Sequence, residues 1–258
     1  MTSTIDFHIH ELDSMKQYPK ELFYIGDTSL LQRRKISIVG SRKANQYAKQ
    51  FTQIIASKLA NAGLCIVSGG AIGIDTIAHQ AAGANNTIMV AGTGLDKRYP
   101  AINEKLIQQI EQNGLVLGQF KAGTPSQRYT FPLRNELIVA LAEILIVMHA
   151  DIDSGTMHSV KYAKKMGKQI YVLPHHINQS NGTNQLLANN EATAIYNIDE
   201  FVSQFKTINN VANTSDEFLN YCASSPSYEE AVSKYAAKVF EYELQGLIEV
   251  KYGKITLL

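Results

Sequence analysis

The chain has 258 residues, 45% of them hydrophobic, which supports a substantial core and excludes wholesale disorder. Lys plus Arg number 24 against 23 for Asp plus Glu, so a net charge of +1 gives no global pull on a polyanion and leaves only local patches to attract one. The most apolar stretch, residues 137–148, is interrupted by Glu143 and is too short for a bilayer; Cys65 and Cys222 alone make neither a disulfide framework nor a four-cysteine zinc site. With a polar, acidic start that lacks a signal-peptide pattern, these features lead to the expectation of a cytoplasmic protein with no membrane partner.

Residues 1–34 read as a polar N-terminal lead-in. From Lys35 onward short apolar runs alternate with longer periodic segments, the pattern of a mostly parallel sheet covered by helices. Strands are expected at 36–39, 64–67, 87–90, 115–117, 144–147 and 169–173, with a final one at 194–196. Helices are expected at 47–61, 74–82, 103–112, 132–142, 156–166 and 184–189. The fold class is α/β, an extended Rossmann-like, doubly wound sheet over 35–205. An Asn- and Thr-rich linker at 206–214 leads to a small winged-helix-like domain at 215–258, with helices near 215–222, 228–233 and 236–244 and a hairpin around Tyr252-Gly253. Glu241 and Glu243 suit the last helix poorly to phosphate contact, so a packing or protein-interaction role is the favoured reading of this tail.

Open parallel sheets bind ligands at the carboxyl ends of their strands, and several loops there carry suitable chemistry. Gly40-Ser41-Arg42-Lys43 combines a close turn with a hydroxyl and cationic donors. Ser68-Gly69-Gly70-Ala71-Ile72-Gly73-Ile74-Asp75 joins backbone N–H groups to a helix start, an anion cradle in which Asp75 is a first-turn residue or loop organiser. Lys121 to Asn135 sets Lys121, Arg128 and Arg134 beside Tyr129, Phe131 and Asn135, cations next to rings on which unpaired bases could stack. Asp153-Ser154-Gly155-Thr156 either binds a phosphate or caps the helix that follows, and capping is the simpler reading. A further basic group, Lys161, Lys164, Lys165 and Lys168, and the run Arg33 to Lys35 read equally well as solvated surface.

Enzyme readings find little support. The first glycine loop is not G-x-G-x-x-G, Gly167-Lys168-Gln169 leaves a helix rather than a strand, and no G-x-S-x-G elbow occurs. Asp6-Phe7-His8-Ile9-His10 resembles the His-x-His of metal hydrolases, but no further ligand set follows in the sequence, so no metal site is expected. A nucleotide-processing enzyme with a Rossmann-like phosphate pocket and a protein-interaction scaffold remain as alternatives.

Gly40-Ser41-Arg42, Ser68 to Asp75 and Phe131-Pro132-Leu133-Arg134-Asn135, in this order, closely resemble the DNA-processing protein A (DprA/Smf) family over roughly residues 20–200. Gly94-Leu95-Asp96, Tyr99-Pro100 and Asp153 to Thr156 add to the likeness. The resemblance implies a non-catalytic homodimer that binds single-stranded DNA, with double-stranded DNA as a weaker ligand, and that helps load the RecA recombinase during natural transformation. It implies that Arg42, Ser68, Gly69, Gly70, Arg128 and Arg134 form the phosphate-binding surface and that Phe131 contacts a base; no cofactor is implied. Glu136 stands where the family commonly has arginine, and Pro174-His175 where it has Pro-Gly.

Overall fold

The structure, a computed structural model, describes residues 2–205, 217–222, 226–244, 247–251 and 253–257. It divides into two compact units, Met1–Phe205 and Lys206–Leu258. The linker expected at 206–214 lies outside the described residues.

In the first unit the strands are β1 (Ser3–Thr4), β2 (Phe23–Gly26), β3 (Lys35–Val39), β4 (Cys65–Gly69), β5 (Thr87–Val90), β6 (Leu115–Gly118), β7 (Ile144–Val147), β8 (Gln169–Val172) and β9 (Thr193–Ala194). The helices are α1 (Gln46–Asn61), α2 (Ile74–Ala82), α3 (Glu104–Asn113), α4 (Thr130–Leu141), α5 (Thr156–Lys165), α6 (Asn181–Ala188) and α7 (Ile198–Ser203). The strands form one sheet in the order β1-β2-β6-β5-β4-β3-β7-β8-β9, parallel from β6 to β9. Starting from β3, the chain winds outward through β4, β5 and β6, then returns across α4 to β7 on the other side of β3. The loops after β3 and β7 therefore diverge, which opens a crevice at the carboxyl ends of these strands.

Burial on both faces explains the apolar strands. In β3, Ile36 and Ile38 pack with α1, α2 and α7 residues such as Ile55, Ile74 and Phe201, whereas Val39 joins a second cluster with Leu137 and Leu141 of α4 and Val160 of α5. Gly63, at φ +86°, ends the turn after α1, as glycine does at low cost. Pro132 lies within the first turn of α4, which begins two residues earlier than expected because the lost N–H there costs no helical hydrogen bond.

The N-terminal segment is not a detached lead-in. β2 pairs antiparallel with β6, and β1 with β2, so residues 3–26 extend the sheet by two strands. Ile9, Leu12 and Leu22 are buried against the main core, each contributing roughly 1.5–3 kcal/mol of burial. These residues are too sparse to show strand periodicity; tertiary pairing decides their conformation.

The second unit holds α8 (Glu217–Cys222), α9 (Tyr228–Leu244) and an antiparallel hairpin of β10 (Ile248–Lys251) and β11 (Lys254–Leu257). Tyr235 leaves helical geometry at φ −141°, ψ 40°, so α9 is two helices across a kink. Phe218, Ala231, Val239, Ile248 and Ile255 form its core. Helices followed by a two-stranded wing give a winged-helix-like order of elements.

Candidate nucleic-acid interface

Two glycines bring the first two loops together. A Cβ on Gly40 would stand 2.6 Å from Ile74 Cγ1, and one on Gly73, which lies at φ +88°, would stand 2.6 Å from the Ser41 carbonyl oxygen and 2.8 Å from Arg42 Cα. Only glycine allows this approach. Ser41 N–H donates to the His149 carbonyl at 2.9 Å, tying the loop after β3 to the end of β7. The Ser41 hydroxyl accepts from Lys43 N–H at 3.0 Å, closing a tight turn that leaves the Arg42 and Lys43 side chains exposed.

The loop after β4 has its carbonyls engaged from behind. His79 Nε2 donates to Gly69 O at 2.8 Å, Asn103 Nδ2 to Gly70 O at 2.9 Å, and Thr76 Oγ1 to Ala71 O at 2.8 Å. Three successive acceptors are thus occupied, which removes the partial negative charge that would repel an anion. Burial pulls the His79 imidazole down to about 4, so it is neutral, and its Nδ1 faces the Thr87 hydroxyl at 2.5 Å.

Beneath this loop lies a buried charge pair. Arg134, 5% exposed, donates from Nη1 to Val90 O at 2.9 Å and from Nε to Asn135 Oδ1 at 3.1 Å. A Cβ on Gly69 would overlap Arg134 Nη1 and stand 2.6 Å from Asp75 Oδ2, so this glycine is the space that lets guanidinium and carboxylate face each other. Burial raises the Asp75 carboxyl and lowers Arg134; each is opposed by the charge of the other.

Above the pair the surface opens into a cleft of about 510 Å³ lined by Gly40 to Lys43, Ala71, Phe131, Arg134, Asn135 and Ser154 to Thr156. A narrower cavity of about 110 Å³ continues between Arg42, Gly70, Ile72, Tyr99 and Phe131. Phe131 packs on Gly92, with Arg42 Cζ 5.5 Å from its ring centre and the Tyr99 ring 6.0 Å away. Such a cation–ring pair contributes about 0.5–1 kcal/mol at an exposed position. The Ser154 and Ser159 hydroxyls in the cleft wall are buried with no protein partner, and α5 begins without a side-chain cap, contrary to the simple capping reading of Ser154.

The expected site residues divide accordingly. Gly40, Ser41, Arg42, Lys43, Gly70, Phe131, Asn135, Ser154, Gly155 and Thr156 line the cleft or its continuation. Ser68 does not: it is fully buried and its hydroxyl donates to Ile38 O at 2.6 Å, a bond within the sheet. Gly69 is likewise a spacer, and Arg134 is a floor with two protein acceptors rather than a free surface cation. Lys121 pairs with Glu21 at 3.1 Å, and neither it nor Arg128 lines the cleft. Arg33 to Lys35 sit at the opposite end of β3, and Lys168 is committed to the Ala140 and Ala142 carbonyls at the end of α4. Sequence reasoning assigned no supporting role to His79 and Asn103, and it missed Tyr99 as a cleft wall. A histidine four residues after Asp75 on an otherwise apolar helix was the available signal for the first.

Fold and site together define a doubly wound α/β protein with a crevice at its topological switch point. A profile of the DNA recombination-mediator protein A family matches residues 5–206, and the chain belongs to that family. DNA processing protein DprA of Streptococcus pneumoniae is 36% identical over 171 residues, 66% of this chain and 60% of its own length. Protein Smf of Synechocystis is 37% identical over 163 residues, 61% of this chain and 41% of its own length. The chain thus spans about half the length of these curated relatives. The structure of DNA processing protein A from Helicobacter pylori, described for its single-stranded DNA binding mode, superposes with a TM-score of 0.77 at 40% identity, over 79% of this chain and 95% of that one. The S. pneumoniae DprA crystal structure gives 0.73 at 31% identity, over 80% and 75%.

Proposed function

We propose that this chain binds single-stranded DNA through its phosphates, independently of base sequence, in the crevice between the loops after β3 and β7. The observation that carries the reading is Arg42, an exposed guanidinium with no carboxylate partner among the described residues, held over Phe131 at the mouth of a cleft whose neighbouring carbonyls are already engaged. Phosphate oxygens meet Arg42 and Lys43, and a base stacks in the Tyr99–Phe131 cavity. Arg128, exposed beyond the cleft, extends the path of the strand. Membership in a recombination-mediator family and the H. pylori relative support the same reading.

Binding proceeds without turnover in this reading: Asp75 is buried against Arg134 and His79 is neutral behind the loop, and the one exposed carboxylate among the described residues lining the cleft, Asp151, has no nucleophile paired with it. In the cytoplasm a homodimer would align two such crevices on one strand and present it to RecA, with duplex DNA held more weakly because its bases cannot reach the rings. A length and salt series with single- and double-stranded oligonucleotides tests this. Affinity that rises with length and falls steeply with salt for single strands is expected. Saturation by a free nucleotide with product formation would favour the enzyme reading, and no salt-sensitive DNA affinity would favour the scaffold.

A further inference from the structure

We propose that His8, His10 and Asp13 bind one divalent transition-metal ion of borderline softness, such as zinc. The structure supplies the third ligand that the sequence alone did not reveal. Ligand atoms of the three side chains all lie within 4.8 Å of one another. His8 Nε2 is 3.0 Å from Asp13 Oδ1, and His10 Nδ1 is 3.9 Å from Asp13 Oδ2. Bonds of about 2.0–2.1 Å in a tetrahedral shell place ligands about 3.3 Å apart, so small side-chain rotations close the set. Two imidazoles and one carboxylate form a mixed nitrogen and oxygen donor set, which favours zinc, nickel or copper over magnesium or calcium.

The backbone beneath these side chains is held in place, which is what separates a site from three polar residues on a tail. Ile9 and Leu12 are buried at 3% and 0% exposure, and they turn the intervening side chains outward. Residues His10–Ser14 form a 3-10 helix, in which positions three apart eclipse, so His10 and Asp13 share an edge. Tyr18 accepts a hydrogen bond from Ile9 N–H at 3.0 Å, and its ring stacks on His8 at 4.9 Å with planes 12° apart, which orients that imidazole. Arg33, Arg34, Lys35 and Lys168 line the pocket beside His8 and His10; Lys35 is paired with Glu11 and Arg34 with Glu143, so part of this positive charge is balanced locally. With three protein ligands, at least one coordination position stays open to solvent.

The test uses the full, untagged chain, stripped with chelator and desalted, and titrated with zinc chloride by calorimetry and with cobalt chloride by visible absorption. One equivalent is expected, with the d–d bands of a four- or five-coordinate cobalt centre. His10→Ala and Asp13→Asn should each weaken zinc binding at least tenfold, and His8→Ala with His10→Ala should abolish it. His176→Ala, at an exposed histidine elsewhere, should leave it unchanged, and unaltered melting of the metal-free variants would confirm that they fold. Absence of stoichiometric binding, or equal binding by the double variant through buried Cys65 or any other group, would overturn the assignment.

Discussion

His79 makes the loop behind the crevice sensitive to acid. Burial lowers its imidazole from the usual 6.5 to about 4, with the Gly69 carbonyl opposing and Arg134 reinforcing the shift. The folded state therefore resists a proton that the unfolded chain accepts. The resulting stability is fully present above pH 6.5 and is lost as pH falls through about 4. Each pH unit of separation corresponds to about 1.4 kcal/mol, so the complete loss is about 3 kcal/mol. Between pH 7 and pH 5, where the unfolded group is almost fully protonated and the folded one is not, the loss is about 2 kcal/mol. The perturbation is His79→Gln, which retains an amide donor for Gly69 O but does not titrate. Urea unfolding followed by far-ultraviolet circular dichroism at the two pH values gives the comparison; carboxylates, including Asp75 with its raised value, act in both proteins and cancel. Wild type should lose about 2 kcal/mol more than the variant. An equal loss in both would refute the neutral, buried assignment of His79 and the account of the loop built on it.

Arg42→Ala and Arg128→Ala should each lower single-strand affinity, the first about tenfold, with the salt slope reduced by about 0.7 per lost phosphate contact; unchanged binding by both, measured by fluorescence anisotropy, would reject the phosphate path. Gly73→Ala forces a side chain onto φ +88° and against the Ser41–Arg42 backbone, and should destabilise the first unit by about 1–3 kcal/mol in thermal melts. A chain ending at residue 210 should keep most single-strand affinity, and a near-total loss would assign the interface to the second unit instead.

Much of the fold was legible because both faces of the sheet are buried: runs such as Ile36 to Val39 and Ile144 to Val147 announce themselves wherever a strand has no solvent side. The cleft was legible in part, since glycine, serine and arginine clustered after strands indicate where anions can approach. The sequence could not distinguish a cation at the surface from one underneath. Arg134 and Arg42 read alike in the chain, yet one is 5% exposed and bonded to Val90 O while the other stands free over Phe131.

From the sequence alone came the alternation of strand and helix, the break near Tyr235 and the glycine-bearing loops at the strand ends, because these depend on local periodicity and on backbone freedom at glycine. Tertiary structure alone decided that residues 3–26 join the sheet, that Ser68 and Gly69 serve the wall rather than the ligand, and that His8, His10 and Asp13 converge. Those outcomes follow from which groups lose their water on folding, a property of neighbours distant in the chain rather than of any residue by itself.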